Sequence, residues 1–200
     1  MRTLKFFALA LLIVVAAQGR AFAAMPEISA GEMYFDVFKG CYVLRGNVSV
    51  GVNNHGFKAT VTADEAQVSV IKQKCWADGN VKLTQENITF SCDRAYLQWQ
   101  TKTAEVTGSV KFANKKSVAI TSDTAVFNWQ DKIVDFYGNI TLKAGKKVAL
   151  GDGVTLDGKE YQHVQYNVEE DKILALDKSN VTLHPMSAIK FPTAVSTRRA

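Results

Sequence analysis

At 200 residues, 47% hydrophobic and 22% charged, the chain has the size of one ordinary domain with a core of its own. The formal net charge of +5 comes from the ends. Arg2, Lys5 and Arg20 sit in the first 23 residues and Lys190, Arg198 and Arg199 in the last eleven, so the body between is near −1, which argues against a nucleic-acid surface.

The first 23 residues read as a secretory signal peptide. Arg2 and Lys5 precede the apolar run Phe6–Ala17, which at 12 residues is short for a membrane span, and Ala21-Phe22-Ala23 is an A-x-A cleavage site. An uncleaved anchor is the alternative. No Cys follows the site, which speaks against a lipoprotein. The expected mature chain is therefore exported, with one β domain over 24–183 and a loose tail over 184–200 that holds Pro185, Pro192 and the terminal arginines. Residues 24–40 form a lead-in in which Phe35, Val37 and Phe38 make a first strand or an amphipathic plug.

From Cys41 on the chain alternates with period two. Tyr42, Leu44, Gly46, Val48 and Val50 share one parity, and so do Cys75, Ala77, Gly79, Val81 and Leu83. Ala104 to Phe112 and Val134 to Leu142 repeat this, each with a Gly at mid-strand: Gly108 and Gly138. These Gly marks alternate with Asp marks at Asp64, Asp93, Asp123 and Asp152. From 79 they fall at 79, 93, 108, 123, 138 and 152, an internal period close to 15. Around each of the first three Asp the apolar phase slips by one residue: Ala63 to Ala66, Cys92 to Ala95, Ser122 to Ala125. Such a slip predicts a β-bulge on the Asp strand, and a mid-strand Gly predicts a bend on the inner face. Asp152 shows no slip, because Val148, Leu150, Val154 and Leu156 keep one parity.

Polar turn residues lie midway between marks: Glu86-Asn87, Gln100-Thr101-Lys102, Asn114-Lys115-Lys116, Asp131-Lys132 and Gly145-Lys146. The predicted fold is all-β: an antiparallel meander of strands about a dozen residues long, creased along its middle into an open jelly roll. After Leu156 the period loosens. Asp157-Gly158 is a turn, Tyr161 to Val168 alternates weakly, and Ile173 to Leu183 reads as a last strand.

No catalytic constellation is visible. His55, His163 and His184 are scattered surface residues with no nucleophile motif nearby. The Asp line lacks the dense Gly-Asp spacing of a calcium roll, so a structural role at the bulges is preferred, and neither a metal nor a cofactor is expected. Lys115-Lys116 and Lys146-Lys147 are turn charges, with a weak role toward anionic headgroups as the alternative. The N-x-S/T triplets at Asn47, Asn87, Asn139 and Asn180 arise by composition. A hairpin centred on marks 79 and 93 places Cys75 opposite Leu97 and Cys92 opposite Asn80. Cys41 lies two strands from Cys75, so no disulfide is expected within the chain.

The inward list is the most informative feature. Valines, leucines and isoleucines, Phe90, Phe112, Phe127, Trp99 and Trp129 alternate with Ala and Gly. Two readings stay open: a closed, dry core, or an apolar groove that accepts acyl chains, each buried CH₂ being worth about 0.8 kcal/mol.

The Gly-Asn-Val marks, with Cys92-Asp93-Arg94-Ala95-Tyr96, Ser122-Asp123-Thr124-Ala125 and Lys102-Thr103-Ala104-Glu105-Val106-Thr107-Gly108, resemble the OstA-like (LptA) family of lipopolysaccharide-transport proteins over about residues 41–150. The resemblance implies a creased jelly roll and a periplasmic bridge with no enzymatic activity. Such a bridge binds lipid A acyl chains inside and carries lipopolysaccharide from an inner-membrane transport complex to an outer-membrane translocon. It also implies head-to-tail oligomers joined through edge strands. The expected groove residues are Val81, Leu83, Phe90, Leu97, Val110, Phe112, Ile120, Phe127, Phe136 and Ile140. The competing readings are the membrane-anchored sister component of the same complex and a structural or adhesive exported β domain.

Overall fold

The computed structural model describes residues 27–54, 57–69, 71–85, 88–98, 100–114, 118–128, 130–145, 148–156 and 161–177. The expected signal peptide and tail lie outside the described residues. So do Trp99, Trp129, His55, His184, Lys115-Lys116, Lys146-Lys147, Glu86-Asn87 and Asp157-Gly158.

Twelve strands form one sheet. They are β1 (Glu27–Ser29), β2 (Glu32–Asp36), β3 (Cys41–Asn54), β4 (Phe57–Ser69), β5 (Lys74–Gln85), β6 (Ile88–Gln98), β7 (Thr103–Asn114), β8 (Val118–Asn128), β9 (Ile133–Ala144), β10 (Ala149–Leu150), β11 (Tyr161–Asn167) and β12 (Lys172–Asp177). Strands β3 to β9 pair in sequence order and antiparallel, and β11 and β12 follow. The expected meander is present, with strands of 11 to 14 residues centred on the marks.

Local chemistry ends the strands at one rim. Asp36, Asn128 and Asn167 each accept two backbone N–H bonds from the turn that follows: from Phe38 and Lys39, Gln130 and Asp131, and Glu169 and Glu170. These are Asx-turns. Each turn at this rim closes on a left-handed residue: Gly40, Gln73, Lys102, Lys132 or Asp171, the geometry that starts the return strand with the right twist.

The crease is built from paired marks. Gly46-Asn47, Gly79-Asn80, Gly108-Ser109 and Gly138-Asn139 all have positive φ, so each pair is a two-residue left-handed kink. Register shifts flank these kinks on both neighbouring strands, at Thr62/Glu65 and at Asp78/Val81 around Gly79-Asn80. Two residues of the Gly strand thus face one Asp, which places the bulge on the Gly strand and not on the Asp strand as the phase slip had suggested. The slip itself is real, since Ala63 and Ala66, Cys92 and Ala95, and Ser122 and Ala125 are all buried. The extra residue also moves the second half of the register: Cys75 does face Leu97, but Cys92 faces Val81 and not Asn80.

The side of the crease on which the Gly acts also differs from expectation. A Cβ on Gly79 or Gly108 would overlap the carboxylate of Asp64 or Asp93, and one on Gly138 would lie 2.6 Å from Asp123 Oδ2. These Asp residues are exposed, so the glycines make room on the outer side of the crease. Asn80 and Asn139 then donate from Nδ2 to Asp64 and Asp123 at 2.8 and 2.7 Å. Asp64 and Asp123 therefore each clamp the strand that follows, while Ser109 stands at the Asn position of the middle unit.

Both ends depart from the meander. The lead-in forms a bent edge strand: β1 and β2 pair with opposite halves of β3, and the Gly31 N–H between them donates to Gly46 O at 2.8 Å. Gly31 stands 15 residues before Gly46, where an Asp would complete the repeat. At the far end β10 breaks the rule and pairs parallel to β12. Val148 and Val154 pack inward there while Leu150 and Leu156 are exposed, so the single parity read from the sequence does not hold.

Candidate functional site: the apolar interior

The crease divides the sheet into two leaves. The first carries β2, β11, β12 and the halves of β3 to β9 next to the Asx-turn rim. The second carries β1 and the other halves. Phe112 shows that they face each other. It lies on the second leaf, yet its ring packs on Phe136 and Tyr166 of the first at centroid distances of 5.7 and 5.5 Å. Asn114 Nδ2 also donates to the Tyr166 hydroxyl at 3.5 Å.

Directly opposite residues share a face, so the register assembles rows across the interior. Beside the crease, Val48, Ala63, Val81, Cys92, Val110, Ser122, Ile140 and Tyr161 are all buried. One pleat further out on the second leaf runs Ile28, Val50, Val61, Leu83, Phe90, Phe112, Ile120, Leu142. From Ile28 to Phe90 these side chains are half-buried, Phe112 and Ile120 are sealed, and Leu142 on β9 is half-buried again. The matching row of the first leaf runs Val68, Cys75, Leu97, Ala104, Phe127, Val134, Tyr166, Ile173. Val68 is buried, the row is half-buried from Cys75 to Phe127, and it is sealed from Val134 on, with Tyr166 and Ile173 at 0% exposure. The apolar slot between the leaves is therefore loosely filled around β5 and β6, between the small buried cluster of Leu44, Val48, Ala66 and Val68 on β3 and β4 and the sealed side chains toward β11 and β12.

All ten groove residues expected from the sequence have inward positions. Val81, Val110, Phe112, Ile120, Phe136 and Ile140 are buried, and Phe90, Leu97 and Phe127 pack partly buried against them. Leu83 is half-buried opposite Phe90. Sequence reasoning missed the plug: Tyr161, Val164, Tyr166 and Ile173. Their alternation was visible but broken, because the register shifts between Tyr161 and His163. The plug is polar at one point, where the Tyr166 hydroxyl donates to Asp171 Oδ1 at 2.5 Å.

The remaining candidates fall outside this slot. His163 is half-buried and not a plain surface residue: its Nε2 lies 2.8 Å from Asp135 Oδ1, and its ring stacks on Tyr137 at 4.8 Å. The Tyr137 hydroxyl is held above its ordinary pKa, first by burial and then by Asp135. The thiols of Cys41, Cys75 and Cys92 are unpaired. Burial pushes Cys75 and Cys92 up to about 12, and burial with Asp36 raises Cys41, so none is a ready nucleophile. No group of three metal-ligating side chains occurs among the described residues.

An antiparallel sheet creased on itself around an apolar interior defines an open β-jelly roll. The family model described as "LptA/(LptD N-terminal domain) LPS transport protein" matches residues 60–162, just over half of the chain, and the chain belongs to this family. It is a family of transport components, not of enzymes. Among solved structures the chain is similar to LptH, described as the LptA homologous periplasmic component of the lipopolysaccharide transport device from Pseudomonas aeruginosa. The TM-score is 0.50 at 14% identity, over 59% of this chain and 93% of that one; at that identity the match speaks for the fold. No curated protein matches the sequence.

Proposed function

We propose that the chain is a periplasmic bridge protein that binds lipopolysaccharide by its lipid A acyl chains. The observation that carries this reading is the gradient along the inner rows. Leu83, Phe90 and Leu97 are apolar, inward and only half-buried. Inward apolar side chains left half-exposed are poor core but good walls for an apolar ligand. Each acyl CH₂ that enters such a slot contributes about 0.8 kcal/mol, so a chain of a dozen carbons is held without a charged site.

The edges suit transfer between copies and to partners. The outer side of β1 and β2 and the end of β9 beyond Ile140 have no strand paired to them among the described residues. Such edges accept a further strand, which supports head-to-tail oligomers and docking to an inner-membrane complex and an outer-membrane translocon.

Photo-crosslinking in cells tests the reading. A crosslinking residue at Leu83 or Phe90 should capture lipopolysaccharide, and one at Ile173 should not. Capture at neither Leu83 nor Phe90, together with no lipid extracted from the purified protein, would leave the dry-core reading in its place.

A further inference from the structure

Three apolar residues protrude from the Asx-turn rim. Val37 and Phe38 lie in the β2–β3 turn and Ile71 in the β4–β5 turn; Ile71 is 85% exposed, Val37 77%, and Phe38 is fully exposed. The two tips are tied side by side. Ser69, only 2% exposed, donates from Oγ to Gly40 O of one tip and accepts the Lys72 N–H of the other, both at 3.3 Å. Lys39 and Lys72 belong to these two tips, Lys39 next to Gly40 and Lys72 bonded through its N–H to the same Ser69 Oγ, so both cations stand at one corner. Asp36 is the acid at this corner, 4.0 Å from Lys39; Lys72 and Lys74 add two more cations, with Lys74 lying 5.6 Å over the Tyr96 ring.

Along the same rim the charge reverses. The turns that follow carry Lys102, then Asp131 and Lys132, then Glu169 and Glu170. Among the described residues only the N-terminal corner combines protruding apolar side chains with lysines, and protruding tips meet a flat partner first. We propose that this corner docks on an anionic bilayer: Val37, Phe38 and Ile71 enter the headgroup layer while Lys39 and Lys72 meet lipid phosphates. Interfacial binding of this kind scales with the apolar area inserted plus the attraction to anionic headgroups. An aromatic tip such as Phe38 is suited to that depth.

Vesicle flotation with the full mature chain tests the inference. The chain should float with phosphatidylethanolamine/phosphatidylglycerol vesicles and much less with pure phosphatidylcholine. V37S/F38S/I71S should lower the bound fraction at least tenfold, and K39Q/K72Q should lower it several-fold on anionic vesicles only. L150S/L156S, which removes exposed apolar residues elsewhere, should float as before. So should Leu83→Arg, which blocks the proposed slot and thereby separates failure of bilayer docking from failure of lipid binding in the interior. Circular dichroism on each variant secures the fold. The inference is overturned if the unaltered chain stays in the dense fraction, if V37S/F38S/I71S floats equally well, or if Leu83→Arg alone abolishes flotation.

Discussion

Phe90 on β6 and Ile120 on β8 stand in the same inner row, two strands apart, on copies of the same repeat. Ile120 is sealed at 0% exposure while Phe90 is half-buried. The difference lies opposite them, not in their own strands. Facing the middle of the row, on Phe112, are Phe136 of β9 and Tyr166 of the returning strand β11, both at 0% exposure. In the first-leaf row the β5 to β7 members Cys75, Leu97 and Ala104 are small or half-buried, next to the buried Val68 of β4. Buried apolar residues fall into two clusters accordingly. A small one lies around Leu44, Val48, Ala66 and Val68, and a large one runs from Ala63 to Ile173. One repeat thus gives a wall in one half of the molecule and a core in the other.

Truncation tests this contrast most strongly. Phe136→Ala in the sealed half should cost about 3–5 kcal/mol, and Leu83→Ala in the open half roughly 1–2 kcal/mol, measured by urea unfolding. Equal losses would mean that the slot is a core throughout. The crease, by contrast, should be uniform. Gly79→Ala and Gly108→Ala each combine a left-handed φ with overlap on an Asp carboxylate, and should each cost about 2–3 kcal/mol. Adding Asp93→Gly to Gly108→Ala should recover part of the loss, because it removes the overlap but not the backbone strain.

Smaller changes sharpen the same comparison. Tyr166→Phe removes the phenol donated to Asp171 and should lower stability by about 1–2 kcal/mol, read from the urea midpoint. Ser109→Asn should raise stability by about 0.5–1 kcal/mol, since Asn tolerates positive φ and would supply Asp93 with the amide that Asn80 and Asn139 give their partners. At neutral pH the thiols should change nothing. Burial raises Cys75 and Cys92 from 9.0 to about 12, so the neutral thiol is the form the fold keeps. The stability this gives is full below pH 9 and is lost as pH rises toward 12. Cys75→Ser/Cys92→Ser should flatten that part of the pH–stability curve, and thiol-directed labelling at pH 8 should reach neither residue before unfolding.

Much of this was legible in the residues. Period-two alternation, the 15-residue marks and the turn chemistry determined the strands, their order and the crease, because each rests on contacts between neighbours in sequence or across one hairpin. The ten inward residues were readable for the same reason: parity assigns a face. The side of the crease that needs glycine was not readable, since it depends on how the Asp64, Asp93 and Asp123 carboxylates fold over the following strand. Nor was the strand that carries the bulge, because a phase slip in one strand and an extra residue in its neighbour leave similar traces.

What only the tertiary structure decided is where the inside is filled. Tyr166 meets Phe112 across the interior, 54 positions away in the chain. No local pattern encodes that contact, because β11 and β12 reach it through the non-repeating segment around β10. The sequence by itself determined that this chain makes a creased sheet with an apolar inner face. Whether a given stretch of that face becomes core or remains an open slot depends on what the opposite leaf brings against it, which is a matter of long-range packing and volume.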